Sequence, residues 1–89
     1  MYLNIGNQIS VRKSSIVGIF DLDNATWSRW TRDLLSRAQR AGQVVNGAEE
    51  DIPNAFVLCE ENGKQTVYLS ALTAPTLQRR AEESWGVAR

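Results

Sequence analysis

The chain has 89 residues, of which 43% are hydrophobic and 22% are charged, and its formal net charge is zero. A chain of this length cannot build two separate hydrophobic cores, so we expect one domain over residues 1–84 and a short tail at 85–89. The composition excludes collagen-like and extended disordered proteins. The longest apolar run, residues 16–20, is too short to cross a bilayer, and the first residues lack the pattern of a secretory signal. We therefore expect a cytoplasmic protein with no membrane contact.

Histidine is absent, and Cys59 is the single cysteine. No intramolecular disulfide can form, and the usual zinc, copper and iron ligand sets cannot be assembled. The commonest general base is also missing, and no nucleophile lies in a recognisable catalytic motif. We therefore expect no cofactor, no metal site and no enzymatic activity, with Cys59 serving as a small hydrophobic residue of a core or an interface.

Three β-rich runs precede the first helix. Residues 2–5 alternate between apolar and polar side chains and end at a turn, which predicts a short strand with residues 9–11 as its partner. In residues 14–20, apolar side chains occur at both odd and even positions. Because a strand alternates its side chains between two faces, this run predicts a strand buried on both faces at the centre of a sheet.

Residues 21–26 are dense in side chains that cap helices, which predicts a helix that begins there with Asn24 or Thr26 as its N-cap. Gly42 supplies the left-handed residue that ends this first helix. On the polar half of the helix, Asp33 and Arg37 are four residues apart in the favourable order for an ion pair.

The apolar residues of this helix fall within one half of its circumference at about 100° per residue. Trp27 lies near the middle of that half and is expected in the core, whereas Trp30 lies at its edge. Tryptophan is enriched at interface hot spots, so Trp30 is expected either to pack across a subunit contact or to lie partly exposed at the rim of the core.

Two further β-rich runs, residues 55–59 and 66–70, flank Asn62 and Gly63. Both of these residues tolerate the positive φ angles of a type I′ turn, so the segment predicts a β-hairpin. The connector before the hairpin carries a candidate short strand at residues 44–45.

A second helix is predicted from Thr73, its expected N-cap, to about residue 83, with Pro75 in its first turn. Together these elements predict a small single α+β domain with short antiparallel strands, a hairpin in its C-terminal half and two helices. So small a domain buries a modest fraction of its surface on folding, which favours self-association into a homo-oligomer.

Basic side chains occur in three places that could meet nucleic acid. Arg12 and Lys13 lie in a turn between predicted strands. Arg29, Arg32 and Arg40 lie on the polar face of the first helix, and Arg79 and Arg80 lie on the second helix. Each can neutralise a phosphate of duplex DNA, and a closed oligomer would multiply the few contacts that one copy offers. A solvated charged surface with no nucleic-acid role is the alternative.

Several short motifs are spread over most of the chain. They are Tyr2-Leu3-Asn4-Ile5-Gly6, Thr31-Arg32-Asp33, Ala38-Gln39-Arg40-Ala41-Gly42, Val67-Tyr68-Leu69-Ser70-Ala71-Leu72 and Thr76-Leu77-Gln78-Arg79-Arg80, together with the strand at residues 14–20. These motifs resemble the bacterial extracellular-matrix regulator (Rem) family, and the spacing Ile16-Val17-Gly18-Ile19-Phe20-Asp21 most resembles its RemB-like branch. The resemblance implies a small cytoplasmic protein that assembles into homo-oligomeric rings, without a cofactor. In the RemA branch it also implies binding to DNA that activates biofilm-matrix genes.

One loop departs from the pattern of that family. Where the DNA-binding branch carries an arginine-rich loop before its hairpin, this chain has Glu49, Glu50 and Asp51. Acidic side chains repel phosphates, so two functions stay open. The first is a homo-oligomeric DNA-binding regulator of matrix genes that contacts phosphates through Arg12 and Lys13, with the first helix secondary. The second is a protein-interaction module that recruits a basic partner through residues 49–51 and does not bind DNA.

Overall fold

The computed structural model describes residues 1–22 and 29–86, and its side chains as far as residue 82. The strands are β1 (Tyr2–Gly6), β2 (Ile9–Arg12), β3 (Ile16–Asp21), β4 (Val44–Asn46), β5 (Ala55–Glu61) and β6 (Lys64–Ser70), and the helices are α1 (Arg29–Arg40) and α2 (Ala74–Gly86). The predicted caps Asn24 and Thr26 and the predicted core residue Trp27 lie outside the described residues. The predicted α+β class is confirmed.

The strands form two sheets. β1 and β2 make an antiparallel pair, and the other four strands make a sheet of order β3-β5-β6-β4. β5 is antiparallel to both β3 and β6, whereas β4 is parallel to β6. The prediction of antiparallel strands is therefore wrong for β4. β3 and β4 run in the same direction at opposite edges of the sheet, because α1 lies between them in the chain and provides the long crossover that such a connection needs.

β3 lies at an edge of the four-stranded sheet, so its predicted central position is wrong. None of its residues is fully buried, and Val17 is 58% exposed. A register shift at Val17 interrupts the regular alternation, so that Ile16 and Ile19 pack on one face of the sheet and Phe20 on the other. β5 and β6 are the inner strands, and residues 55–59 of β5 are all buried.

Hydrophobic clusters cover both faces of this sheet. On one face the buried residues of α1 meet the sheet, and the cluster contains Leu34, Ala38, Phe56, Leu58 and Val67. On the other face lie β1, β2 and α2, and the cluster contains Leu3, Ile5, Val11, Ala55, Val57, Cys59, Ala74, Leu77 and Ala81. Successive residues of β5 thus contribute to alternate clusters, as the pleat requires. Cys59 is a buried hydrophobic residue of the core, as predicted.

The predicted hairpin and the end of the first helix are both confirmed. Asn62 and Gly63 take the positive φ angles of 55° and 78° that the turn between β5 and β6 requires. Gly42 takes φ 71° after α1. The amide of Gln43 donates to the carbonyl of Ala38 at 2.8 Å, which completes a Schellman cap.

The remaining local predictions also hold. The candidate strand at residues 44–45 is part of β4, and β2 is the predicted partner of β1. The Thr73 hydroxyl accepts a hydrogen bond from the Thr76 amide at 3.4 Å and so caps α2. α2 continues to Gly86, three residues beyond its predicted end near residue 83. Neither described helix has the length and apolar content needed to cross a membrane.

Candidate nucleic-acid interface and subunit-contact surfaces

The outer face of α1 presents a row of arginine side chains. All four are exposed, and they are Arg29, Arg32, Arg37 and Arg40. The helix contains one acidic residue, Asp33. Among the described residues, no carboxylate lies within ion-pair distance of these guanidinium groups. α1 is therefore a positively charged surface on one side of the sheet.

The predicted ion pair between Asp33 and Arg37 does not form. The Nε of Arg37 donates instead to the main-chain carbonyl of Asp33 at 3.3 Å, and the Nε of Arg40 makes the same contact with Ser36 at 3.5 Å. Because each contact uses Nε, the terminal nitrogens of both guanidinium groups can bind an external acceptor. The sequence predicts Arg37 as an ion-pair partner of Asp33, whereas the structure places it with Arg40 on the exposed face of the helix.

The two basic residues of the N-terminal turn have different surroundings. Arg12 ends β2 with a side chain that is 59% exposed, and its Nη1 lies 3.7 Å from the Oε2 of Glu61. Lys13 is only 3% exposed, and its ammonium group donates to the main-chain carbonyl of Ala81 at 2.8 Å. The expectation that Lys13 contacts a phosphate is wrong for this fold, because its charge is buried against α2.

The predicted phosphate contacts do not converge on one surface. Arg12 lies in the layer formed by β1, β2 and α2, whereas Arg29 and Arg32 lie on α1, across the four-stranded sheet. Arg12 and α1 therefore present their positive charge on different surfaces of one copy. Of the two groups, α1 carries the larger uncompensated positive charge.

Trp30 lies on the flank of α1 nearest to β3 and is 50% exposed. Its ring centroid is 5.7 Å from that of Phe20 at an interplanar angle of 54°. Phe20 in turn stacks on the buried Phe56 at 4.9 Å. The indole thus contacts the core through Phe20 while half of the side chain stays exposed, and tryptophan is a residue type enriched at interface hot spots.

The acidic loop, residues 49–51, is exposed between β4 and β5. The main chain of this loop is held by a hydrogen bond of 2.9 Å from the Asp51 amide to the carbonyl of Ala48. The next residue, Ile52, is 82% exposed. Among the described residues, none of the three carboxylates has a basic partner within ion-pair distance. The loop therefore presents unneutralised negative charge beside an exposed apolar side chain.

An apolar groove of about 420 Å³ runs along α1, from Leu22 after β3 to Val44 in β4. Its apolar lining consists of Leu22, Leu35, Val44, Pro53 and Leu69, and its polar lining consists of Arg32, Ser36 and Gln39. Gln39 falls about 180° around the helix from Trp30, since nine residues at 3.6 residues per turn make two and a half turns. The groove and Trp30 thus lie on opposite flanks of α1.

A second cavity of about 420 Å³ lies near the hairpin turn and includes Ser15, Cys59, Glu61 and Tyr68 in its lining. Burial raises the pKa of the Cys59 thiol, and this outweighs the opposing hydrogen bond with Ser15. The pKa of Tyr68 is raised as well, chiefly by burial. Both groups hold their protons at neutral pH, so Cys59 is not an activated thiolate. Within the described residues, no three His, Cys, Asp or Glu side chains are grouped to hold a metal ion.

The fold and these surfaces define a small α+β domain with a basic helix on one face of its sheet, an acidic loop, and an apolar groove along that helix. Residues 2–81 match the RemA-like family model, described as extracellular matrix regulatory protein A-like, and the chain belongs to that family. The family relationship indicated by the sequence motifs is confirmed at this level. No curated protein shows significant similarity to the chain.

Proposed function

We propose that the protein is a homo-oligomeric, non-enzymatic regulator that binds duplex DNA in the cytoplasm and controls extracellular-matrix genes without a cofactor. The observation that carries this proposal is the outer face of α1, with four exposed arginines, one aspartate and no ionic partner among the described residues. The description of its family supports the link to the extracellular matrix. Within that family, the spacing of residues 16–21 favours the RemB-like branch.

In this proposal α1 is the principal phosphate-binding element. Arg32, Arg37 and Arg40 present guanidinium groups on the solvent side of the helix. Each phosphate neutralised releases counterions and contributes about −0.9 to the slope of log K against log salt concentration. A few contacts per copy give weak binding, and an oligomer that sets several copies along one duplex multiplies them. Arg12 takes the secondary place, because it is paired with Glu61 in the other layer.

Fluorescence-anisotropy titration against duplex DNA over a series of salt concentrations tests the proposal. The natural chain should bind at low salt with an affinity that falls steeply as salt rises. Replacement of Arg32, Arg37 and Arg40 by Gln should flatten the slope by about 0.9 for each phosphate that the variant no longer neutralises. No binding of the natural chain at low salt would reject the DNA-binding function.

A matched control separates α1 from net charge. Replacement of Arg12, Arg79 and Arg80 by Gln also removes three positive charges, but from the opposite layer. All three of these side chains are exposed. We expect this variant to keep most of the salt slope. Equal decreases in the two triple variants would mean that long-range charge, and not the surface of α1, governs the binding.

The acidic loop supports a second candidate function, which is the recruitment of a basic protein partner without DNA. Its three exposed carboxylates lack ionic partners among the described residues. Reversal of Glu49, Glu50 and Asp51 to Lys should then abolish recruitment while leaving any DNA binding intact or stronger. A variant that keeps its partner would exclude this candidate.

A further inference from the structure

We infer that copies of this chain associate through opposite edges of the four-stranded sheet, with Trp30 of one copy seated in the apolar groove of the next. In the same contact, Arg29 of the first copy faces the acidic loop of the second. The inference rests on the proposed function in one respect, since that function requires an oligomer. It adds which surfaces meet and assigns the acidic loop to self-assembly.

The two apolar surfaces are complementary and lie apart on one molecule. Trp30 projects from one flank of α1, and the groove lies along the opposite flank, which carries Leu35 and Gln39. Because a chain cannot bring its own opposite flanks together, each surface needs another copy. A contact between two different surfaces is heterologous, and its repetition builds a ring or a filament. An indole buries roughly 150–250 Å² when it is covered, and the apolar lining of the groove suits that ring.

The two surfaces that would meet lie at the same height along the strand direction. Asp21 at the end of β3 pairs with Ala55, and Leu22 donates its amide to the carbonyl of Asn54 at 2.9 Å. The end of β3, beside which Trp30 lies, is therefore level with the segment that carries the acidic loop and Pro53. Two copies placed side by side with parallel sheets bring the start of α1 in one against residues 49–53 of the other.

Charge complementarity selects a second copy as the occupant. Arg29, beside Trp30, has no acidic partner among the described residues, and the carboxylates of the acidic loop have no basic one. Docking of Trp30 brings these opposite charges together at the rim of the groove, where they favour the correct orientation more than they add affinity. The same docking also covers part of the two open sheet edges, where Val17 of β3 and Val45 of β4 are exposed.

Disulfide trapping tests the geometry directly. The natural Cys59 is buried and provides the background control. A chain with both Arg29→Cys and Glu50→Cys should form a ladder of linked multimers on mild oxidation, and each single variant alone should stay unlinked. An equimolar mixture of the two single variants should give linked dimers and nothing larger. A disulfide between two copies of the Arg29→Cys single variant would overturn the inference, because it would bring the same surface of both copies together.

Assembly mass in solution separates this inference from the proposed function. Trp30→Ala should reduce the assembly to single chains, whereas Tyr2→Ala, which alters an aromatic residue with 60% exposure on β1, should leave the mass unchanged. Arg29→Glu should weaken the assembly, and its combination with Glu49→Arg and Glu50→Arg should restore it. An oligomer that persists in Trp30→Ala would overturn the inference alone. A natural chain that is monomeric at high concentration would overturn the proposed oligomer as well.

Discussion

The ammonium group of Lys13 donates to the main-chain carbonyl of Ala81 at 2.8 Å, which ties the turn after β2 to α2 across 68 positions of sequence. A buried ammonium group is tolerated where protein acceptors replace its water. We predict that Lys13→Ala lowers the free energy of unfolding by about 2–4 kcal/mol, because the variant lacks the charged hydrogen bond and leaves the space of the aliphatic stem empty. Urea unfolding followed by circular dichroism measures this decrease.

The neighbouring Arg12 provides the matched control for that experiment. Its side chain is 59% exposed and its ion pair with Glu61 is equally open to water. Exposed pairs of this kind contribute about 0–1 kcal/mol, so Arg12→Ala should change stability little. Similar decreases in the two variants would contradict a buried, structural Lys13.

The buried hydroxyl of Ser70 joins the four-stranded sheet to the layer formed by β1, β2 and α2. Its Oγ donates to the carbonyl of Ile5 in β1 at 2.7 Å and accepts from the amide of Leu72 at 3.0 Å. Ser70→Ala removes both hydrogen bonds and leaves two main-chain groups without this partner, so we expect a decrease in stability of about 2–3 kcal/mol. Thr73→Ala, at an exposed cap, should cost about 1 kcal/mol. Thermal unfolding of both variants checks the order, and the reverse order would refute the role given to Ser70.

Local features of the fold could be predicted because the residues that determine them are close in sequence. Asn62 with Gly63 specifies a hairpin turn, Gly42 ends a helix, and Thr73 caps one, each through its own backbone preference or a hydrogen bond a few positions away. The position of β3 at a sheet edge and the parallel pairing of β4 are different. Both depend on which distant strands lie alongside, and an apolar run is compatible with either place.

Some features of the candidate site could also be predicted from nearby residues, whereas others depend on residues far apart in sequence. The exposure of Arg29 and Arg32 follows from the helical period, so the sequence predicts it. The burial of Lys13 depends on α2, which packs over it from the other end of the chain. The apolar groove is lined by residues from 22 to 69, and no local pattern brings them together.

The raised pKa of Cys59 predicts a loss of stability in alkali. Burial keeps the thiol protonated in the folded chain above its ordinary pKa of 9.0, at which the unfolded chain releases the proton. The folded state therefore binds more protons than the unfolded state above this pH, and stability falls as pH rises through the folded pKa. Tyr68 acts in the same direction above its ordinary value of 10.0.

Replacement of Cys59 by Ala separates these two contributions. We expect a cost of about 1 kcal/mol at neutral pH from removal of the buried sulfur. Between about pH 8 and about pH 10 the variant should lose less stability than the natural chain, because one of its two titrating groups is gone. Urea midpoints measured across that range test this difference. Parallel pH profiles for the two chains would show that the thiol does not titrate differently in the folded and unfolded states.

Gly47 lies where the chain leaves β4 and passes close to β6. Its amide donates to the carbonyl oxygen of Leu69 at 2.9 Å, and a Cβ atom added at this position would lie 2.7 Å from the same oxygen. Main-chain atoms in a paired strand cannot move aside cheaply, so Gly47→Ala should cost about 1–3 kcal/mol. The matched control is Gly42→Asn, where a Cβ meets no atom within 4 Å and asparagine tolerates the positive φ. Urea unfolding should show a larger decrease in stability at Gly47 than at Gly42.

Because Gly47 directly precedes the segment that carries the acidic loop, the alanine variant should also weaken subunit assembly. Analytical ultracentrifugation of the folded fraction measures that effect.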